Sequence, residues 1–352
     1  LTATTTFNKR KCSMKLYSGL DLYSRNTYIG IMDKAFNPVF KKRVPNQLEH
    51  ILQTLAPFRD QIKGFVVEST YNWYWLVDGL MDAGYASAYL ANPSAIKQYE
   101  GLKYTDDQHD AFFLAQLLIL GILPQGYIYP KKDRPVRDLA RKRMFLVQHK
   151  TAHILSLQSL IARSCAMKVR ANDMRHLTVK ELEEWLEEEY LVLSAQANLD
   201  SINFLKQKIQ ALEKAIRKKV KLKKAFHYLK TVPGIGDILA LTIMLEVGDV
   251  NRFPKVNNFT SYCRCAPARR LSDGKSKGHG NRKNGNRYLS WAFTEAAHLG
   301  RRYNERFRAY YNRKVAQANT SLGTKALSNK LARICYYIMR DQVPFQEELF
   351  CQ

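Results

Sequence analysis

Long hydrophobic runs are missing from this 352-residue sequence. Its longest apolar stretch, residues 112–124, is too short to cross a bilayer and carries Gln116, so no membrane-spanning helix is expected and a membrane is not among the expected partners. No apolar segment follows the basic residues of LTATTTFNKRKC, and no secretory leader is expected. Cysteine is also scarce. Six scattered residues make no disulfide framework in a chain of this size, which suits a reducing cytoplasm. Cys263 and Cys265 invite a zinc reading, but only His279 follows nearby and no second Cys or His pair stands at finger spacing, so packed thiols are expected. Acidic residues are the third shortage. Thirty-one Asp and Glu face 56 Lys and Arg, a net charge of +25 that draws polyanions and makes nucleic acid the leading partner. What is present is 46% hydrophobic residues, enough for a sizeable core and for two or three domains.

The pattern along the chain changes character twice. Residues 15–43 read as three short strands, KLYSGLDLY, NTYIGIMD and PVFKKRV, forming an antiparallel meander. A helix over 47–57, a strand over 62–69, a Trp- and Leu-rich helix over 73–83 and a strand around ASAYLAN follow, which is the order of an α/β layer fold. A helix is predicted over 107–123. Beyond Pro135 the chain turns helical, and KELEEWLEEEY packs six Glu into an amphipathic segment. Ile202, Leu205, Ile209, Leu212, Ile216 and Val220 then step by three and four, the spacing of a helix-pairing seam. Its end, residues 213–230, holds eight Lys or Arg and one acid. A last unit opens with TVPGIGDILALTIMLEV, runs through a basic Gly-rich loop and closes with helices over 289–314 and 324–340. The expected division is 1–135, an α/β domain; 136–228, a helical coiled-coil linker; and 229–352, a mainly helical domain with a helix-hairpin-helix-like turn.

Carboxylates in awkward places carry the chemistry. Asp21 sits in the middle of a strand and Glu68 at the end of another, where propensity and desolvation both disfavour a charge. Asp107 and Asp110, spaced i to i+3, put two more on one face of a helix start. Helix-initial Asp residues also serve as caps or dipole partners, and Asp106 competes with Asp107 for the role. Four hard oxygen donors from two strands and one helix turn suit a Mg²⁺ pair, with Mn²⁺ as substitute, for phosphodiester chemistry. The order Asp, Glu, then a carboxylate pair, in GLD at 19–21, VES at 67–69 and TDDQHDA at 105–111, resembles the RNase H-like fold of RuvC-type junction resolvases.

The C-terminal third holds a second set of signals. VPGIG at 232–236 is similar to a helix-hairpin-helix turn, in which Gly234 and Gly236 would let backbone N–H groups approach a phosphate, or it is a plain glycine turn. From Arg264 to Arg287 there are eight Lys or Arg and one Asp among Gly and Asn, the composition of a loop that grips a phosphate backbone. Its candidate contacts are Arg269, Arg270, Lys275, Lys277, Arg282, Lys283 and Arg287. The helix RRYNERFRAYYNRK at 301–314 mixes six cations with aromatics, either as a solvated amphipathic face or as a contact surface.

PGIG, then RF, then a Pro and a serine loop in the pattern P-x4-S-x-G, then GNRYL and an Ala-rich helix together resemble the C-terminal domain of DEDD-type insertion-sequence transposases, also seen in Piv-type invertases. LANPSAIKQYEGLKYTDDQHDA and LPQGYIYP are similar to that family's linking segments, so the resemblance spans nearly the whole chain. It implies a recombinase that cuts and rejoins donor and target DNA. Asp21, Glu68, Asp107 and Asp110 would hold the metal, and Ser272 would form a covalent phosphoserine link to DNA. The usual Ser-Gly is Ser-Asp-Gly at 272–274 and the usual Gly-Leu before the Pro is Cys265-Ala266, which leaves Ser276 and Ser261 as lesser candidates. The resemblance also implies a structured guide, the bridge RNA, and dimers or tetramers on DNA. Two other classes fit part of the pattern: a metal-dependent resolvase, nuclease or invertase, and a basic protein that binds nucleic acid without cutting it.

Overall fold

The computed structural model describes residues 15–85, 87–96, 107–220, 223–267, 269–272, 275–279 and 284–350. The chain divides into two compact units between Lys131 and Lys132.

The first unit is a six-stranded mixed sheet. Strands β1 (Leu16–Leu22), β2 (Asn26–Asp33) and β3 (Pro38–Pro45) form the antiparallel meander, helix α1 (Leu48–Leu55) follows, and β4 (Ile62–Glu68) returns parallel to β1. After α2 (Tyr74–Asp82), β5 (Ala88–Ala91) pairs parallel to β4. Beyond α3 (Asp107–Ile119), a short antiparallel β6 (Gln125–Gly126) closes the order β3-β2-β1-β4-β5-β6. Successive strand side chains point to opposite faces. On one face Leu16, Leu20, Leu22, Phe65 and Val67 join Leu76, Val77 and Leu80 of α2 and Ile51 and Leu55 of α1 in one apolar core. On the other, Val66 and Ala91 meet Leu114 and Leu117 of α3. The central strand β1 is buried on both faces, which explains its almost unbroken run of small and apolar residues. Helix α3 ends four residues short of expectation, at Ile119, and Gly121 follows in the left-handed conformation, φ 69°.

The second unit is built mainly of helices. Helices α4 (Arg134–Cys165) and α6 (Glu189–Val220), of 32 residues each, pack along one another. Ile154, Leu157, Leu160 and Ile161 of α4 and Ala195, Leu199 and Ile202 of α6 make a small core with α5 (Val179–Trp185). Within the predicted seam, Ile202, Ile209, Ile216 and Val220 are buried and Leu205 and Leu212 half-buried, so the heptad spacing pairs two helices of the same chain. A half-buried ion pair, Arg143 to Glu213 at 2.7 Å, crosses that pairing. The six-Glu segment is two helices rather than one: Thr178 and Glu181 form a reciprocal capping box on α5, and Leu186, extended at φ −116° and ψ 107°, breaks the chain before α6.

The remaining core joins α7 (Lys224–Leu229), α8 (Asp237–Val247), α9 (Val256–Tyr262), α10 (Arg287–Tyr303), α11 (Glu305–Gln317) and α12 (Thr320–Asp341). The helix expected over 289–314 is interrupted at Asn304. Its backbone is extended, its side chain accepts from the Phe307 N–H at 2.9 Å and so starts α11, and its amide donates to Glu347 at 2.7 Å. The basic loop contains an antiparallel hairpin, β7 (Arg269–Ser272) and β8 (Lys275–His279), rather than irregular chain alone. No helix among the described residues is long and apolar enough to cross a membrane.

Candidate functional site

Three of the four predicted carboxylates meet at one end of the first unit's sheet, and glycine is the reason. Gly19 and Gly30 face each other across β1 and β2. A Cβ on Gly19 would lie 1.8 Å from the carbonyl oxygen of Ala111 and 3.1 Å from the Ala115 nitrogen, so the α3 backbone rests directly on the strand. Asp21 is two residues along the same strand face, and Asp110 immediately precedes Ala111. Leu20 lies beside Val67 in the parallel β1–β4 ladder, which brings the next residue of each strand, Asp21 and Glu68, to the same sheet end.

The electrostatics agree with that placement. Asp21 is 4% exposed. Burial first, then the charges of Glu68 and Asp110, push its carboxyl up to about 6, against a hydrogen bond from Tyr23 and the cation of Arg43. Glu68 is raised by burial and by Asp110. The Tyr23 hydroxyl is in turn pushed up to about 12, by burial and then by the Asp21 charge. Asp21 Oδ2 and Asp110 Oδ1 are buried and accept no hydrogen bond among the described residues. His109 Nδ1 lies 3.7 Å from Asp110 Oδ1, and mutually repelling carboxylate oxygens without a hydrogen bond are a donor set that would suit a hard divalent cation. No group of three or more His, Cys, Asp or Glu among the described residues is drawn together closely enough to cage one as it stands. Asp107 is the first residue of α3, but its side chain lies outside what is described, and Asp106 lies outside the described residues altogether. Beside them Gln108 accepts from Lys41 at 2.9 Å, joining α3 to the basic strand β3.

In the second unit, Ser272 is the last residue of β7 and pairs with Lys275 at the turn of the hairpin. Arg269, Arg270 and Lys277 are backbone positions in the same two strands; their side chains, like that of Ser272, lie outside what is described, and Arg282 and Lys283 lie outside the described residues. Lys275 is exposed, and so is Arg287, whose guanidinium lies over the Tyr288 ring at 4.9 Å. The two predicted turn glycines differ. Gly234, φ 88°, is spent on packing, since a Cβ there would lie 2.4 Å from the Gly300 nitrogen of α10. Gly236 is exposed with open space around it at the start of α8, where Asp237 is ion-paired with Lys230 at 2.8 Å. Cys263, Cys265 and Cys335 are buried free thiols, and burial pushes Cys265 up to about 12, which keeps it protonated and makes it a packing group.

Sequence reasoning passed over Gly19, Tyr23 and the buried Glu246 of α8. A charged residue inside the apolar run LALTIMLEV was a signal of the same kind as Asp21.

Comparison with known proteins follows the same two units. The family model for DEDD transposases of the IS110 type, described as Transposase, matches residues 18–165, and that of the Transposase IS116/IS110/IS902 family matches residues 226–312. A relative named "Insertion element IS110 uncharacterized 43.6 kDa protein", from Streptomyces coelicolor, is 25% identical over 195 residues, 52% of this chain and 47% of its own length. The protein y4qE of Sinorhizobium fredii, provisionally named a transposase, is 23% identical over 278 residues, 76% of this chain and 67% of its own. "Transposase for insertion sequence element IS1328", from Yersinia enterocolitica, is 24% identical over 148 residues, 41% of this chain and 44% of its own. The matches thus span about half the length of two of these relatives.

Proposed function

We propose, from its matches to two transposase family models and from the names of its relatives, that this chain is an IS110-type DEDD transposase that cuts and rejoins donor and target DNA. The observation that carries the reading is the gathering of Asp21, Glu68 and Asp110 at one sheet end near Gly19, with two buried oxygens that accept no hydrogen bond among the described residues. With Asp107 they would hold divalent metal, Mg²⁺ or Mn²⁺. The chemistry such a metal supplies is polarisation of a phosphodiester and neutralisation of its developing charge.

Ser272 is the nucleophile in this reading. Its Oγ forms a bond to phosphorus as the bond to one sugar oxygen breaks; the serine hydroxyl loses its proton and the released sugar oxygen gains one. One phosphoester replaces another, so rejoining needs no energy source. Lys275 and Arg287 sit on chain that favours a phosphate backbone, and the structured guide RNA that the family resemblance implies as second partner is compatible with the +25 charge. Dimers or tetramers on DNA are the expected working form. A resolvase-like reading, in which the carboxylates activate water and the serine is idle, rests on the same sheet.

Ser272→Ala separates the two. Incubated with duplex spanning the junction of the element's joined ends, wild type should yield a protein–DNA adduct stable to denaturant, and the variant none. An undiminished adduct or normal strand exchange in Ser272→Ala would refute the serine mechanism. RNA copurifying with the chain, once sequenced, tests the guide: only random fragments would count against it.

A further inference from the structure

The segment that carries the β7–β8 hairpin is tied to one buried carboxylate through Asn286, beyond its C-terminal end. Glu246 sits in α8 with its side chain 3% exposed among apolar neighbours. Arg141 donates to it twice, Nε to Oε1 at 2.6 Å and a terminal nitrogen to Oε2 at 2.8 Å, and Arg137 Nε donates to Oε2 at 3.2 Å. The fourth donor is Asn286 Nδ2, at 2.7 Å from Oε2. Asn286 works in three directions. Its Oδ1 accepts from the N–H groups of Tyr288 and Leu289 and starts α10, and its own N–H donates to the Tyr262 carbonyl at 2.6 Å, across the neck of the hairpin segment.

Other contacts close the same neck. Arg264, held at φ 55°, donates from Nε to the Gly285 carbonyl at 3.0 Å, and its own carbonyl accepts from Lys325. Gly285, φ 93°, passes so close to Tyr262 that a Cβ would lie 2.6 Å from its carbonyl oxygen. Thus residues 262–264 enter and residues 285–286 leave the hairpin segment through one stitched gate.

A buried carboxylate with two guanidiniums is a poor way to gain stability, because apolar residues of the same volume usually serve as well or better. What such a network fixes is geometry. We propose that Glu246, Arg137, Arg141 and Asn286 are a positioning assembly for the β7–β8 hairpin, with Asn286 transmitting the position of the α4–α8 pair to the strand that ends in Ser272. The functional half of this inference rests on Ser272 being the nucleophile; the mechanical half does not.

Asn286→Asp, in the full chain, distinguishes positioning from simple helix capping. It keeps the oxygen that caps α10 but turns the donor facing Glu246 into a second carboxylate oxygen. Amide hydrogen exchange across 269–279 should quicken at least tenfold while the α10 amides stay protected. The kcat of strand exchange on the junction duplex should fall at least tenfold, with DNA affinity within twofold. Glu246→Gln, whose amide N–H2 cannot accept from both Asn286 and the two guanidiniums, should quicken the same hairpin amides. Unchanged hairpin exchange in Asn286→Asp overturns the proposal. If Asn286→Asp does not fold, Arg141→Lys, which keeps the charge and loses the two-pronged contact, must show the same quickening or the proposal fails. Normal activity in Ser272→Ala would remove the catalytic consequence alone, since hairpin exchange is read independently.

Discussion

The molecule buries carboxylates in two places and treats them in opposite ways. At the end of the first unit's sheet, Asp21, Glu68 and Asp110 crowd together, and burial with mutual repulsion raises Asp21 to about 6. In the second unit, Glu246 is as deeply buried, yet the hydrogen bond from Arg141 and the charges of Arg137 and Arg141 outweigh desolvation and hold its carboxyl below the usual range. Burial alone therefore does not separate a site prepared for chemistry from one that fixes structure. The separation lies in the balance of compensation: Arg137, Arg141 and Asn286 outweigh burial at Glu246, whereas Tyr23 and Arg43 do not outweigh burial and the Glu68 and Asp110 charges at Asp21.

The largest test of that contrast is Asp21→Asn, which should lower strand exchange on the order of 10³-fold, equivalent to several kcal/mol of transition-state stabilisation. The same change should raise the Tm of metal-free protein at pH 8. The sign follows from the pKa. A folded value near 6, above the ordinary 3.8, means the native state holds the extra proton, so this group's stability contribution falls as pH rises through that window. The gain in Tm should therefore shrink as pH drops from 8 toward 4; a variant less stable than wild type at pH 8 without metal would break the comparison. Glu246→Ala should do the reverse, leaving the buried Arg137 and the part-exposed Arg141 without their carboxylate and costing about 3 kcal/mol in denaturant unfolding.

Gly19→Ala comes next. With Ala111 in the way, a methyl group forces α3 off the sheet, at about 1–3 kcal/mol, and should cost activity as well by moving Asp110. The smallest effect belongs to Tyr23→Phe. It removes the hydrogen bond that lowers Asp21, so the acid limb of the pH–rate profile should move upward by a few tenths of a unit. A downward shift would show that Tyr23 does not donate to Asp21.

Much of this was legible in the sequence, for identifiable reasons. The meander, the strand over 62–69 and the heptad seam follow from side-chain periodicity, and Asp21 and Glu68 announce themselves as charges in strands. Periodicity cannot report what touches what. Gly19 stood in the quoted GLD motif, yet only the α3 backbone lying on it explains why a side chain there is intolerable. The break at Asn304 was hidden because residues on both sides have helical propensity, and one asparagine cap overrides it. Glu246 escaped because its partners lie over a hundred positions upstream, at Arg137 and Arg141, and forty downstream, at Asn286.

The seating of Ala111 on Gly19 also dictates where the gene tolerates added or lost codons. One residue inserted between Asp107 and Ala111 would swing the helix's leading acids by about 100° around its axis, away from Asp21. Residues added between β5 and the start of α3 would leave that angle untouched. Length variation among natural variants should therefore collect ahead of Asp107 and be absent from the four residues that follow it.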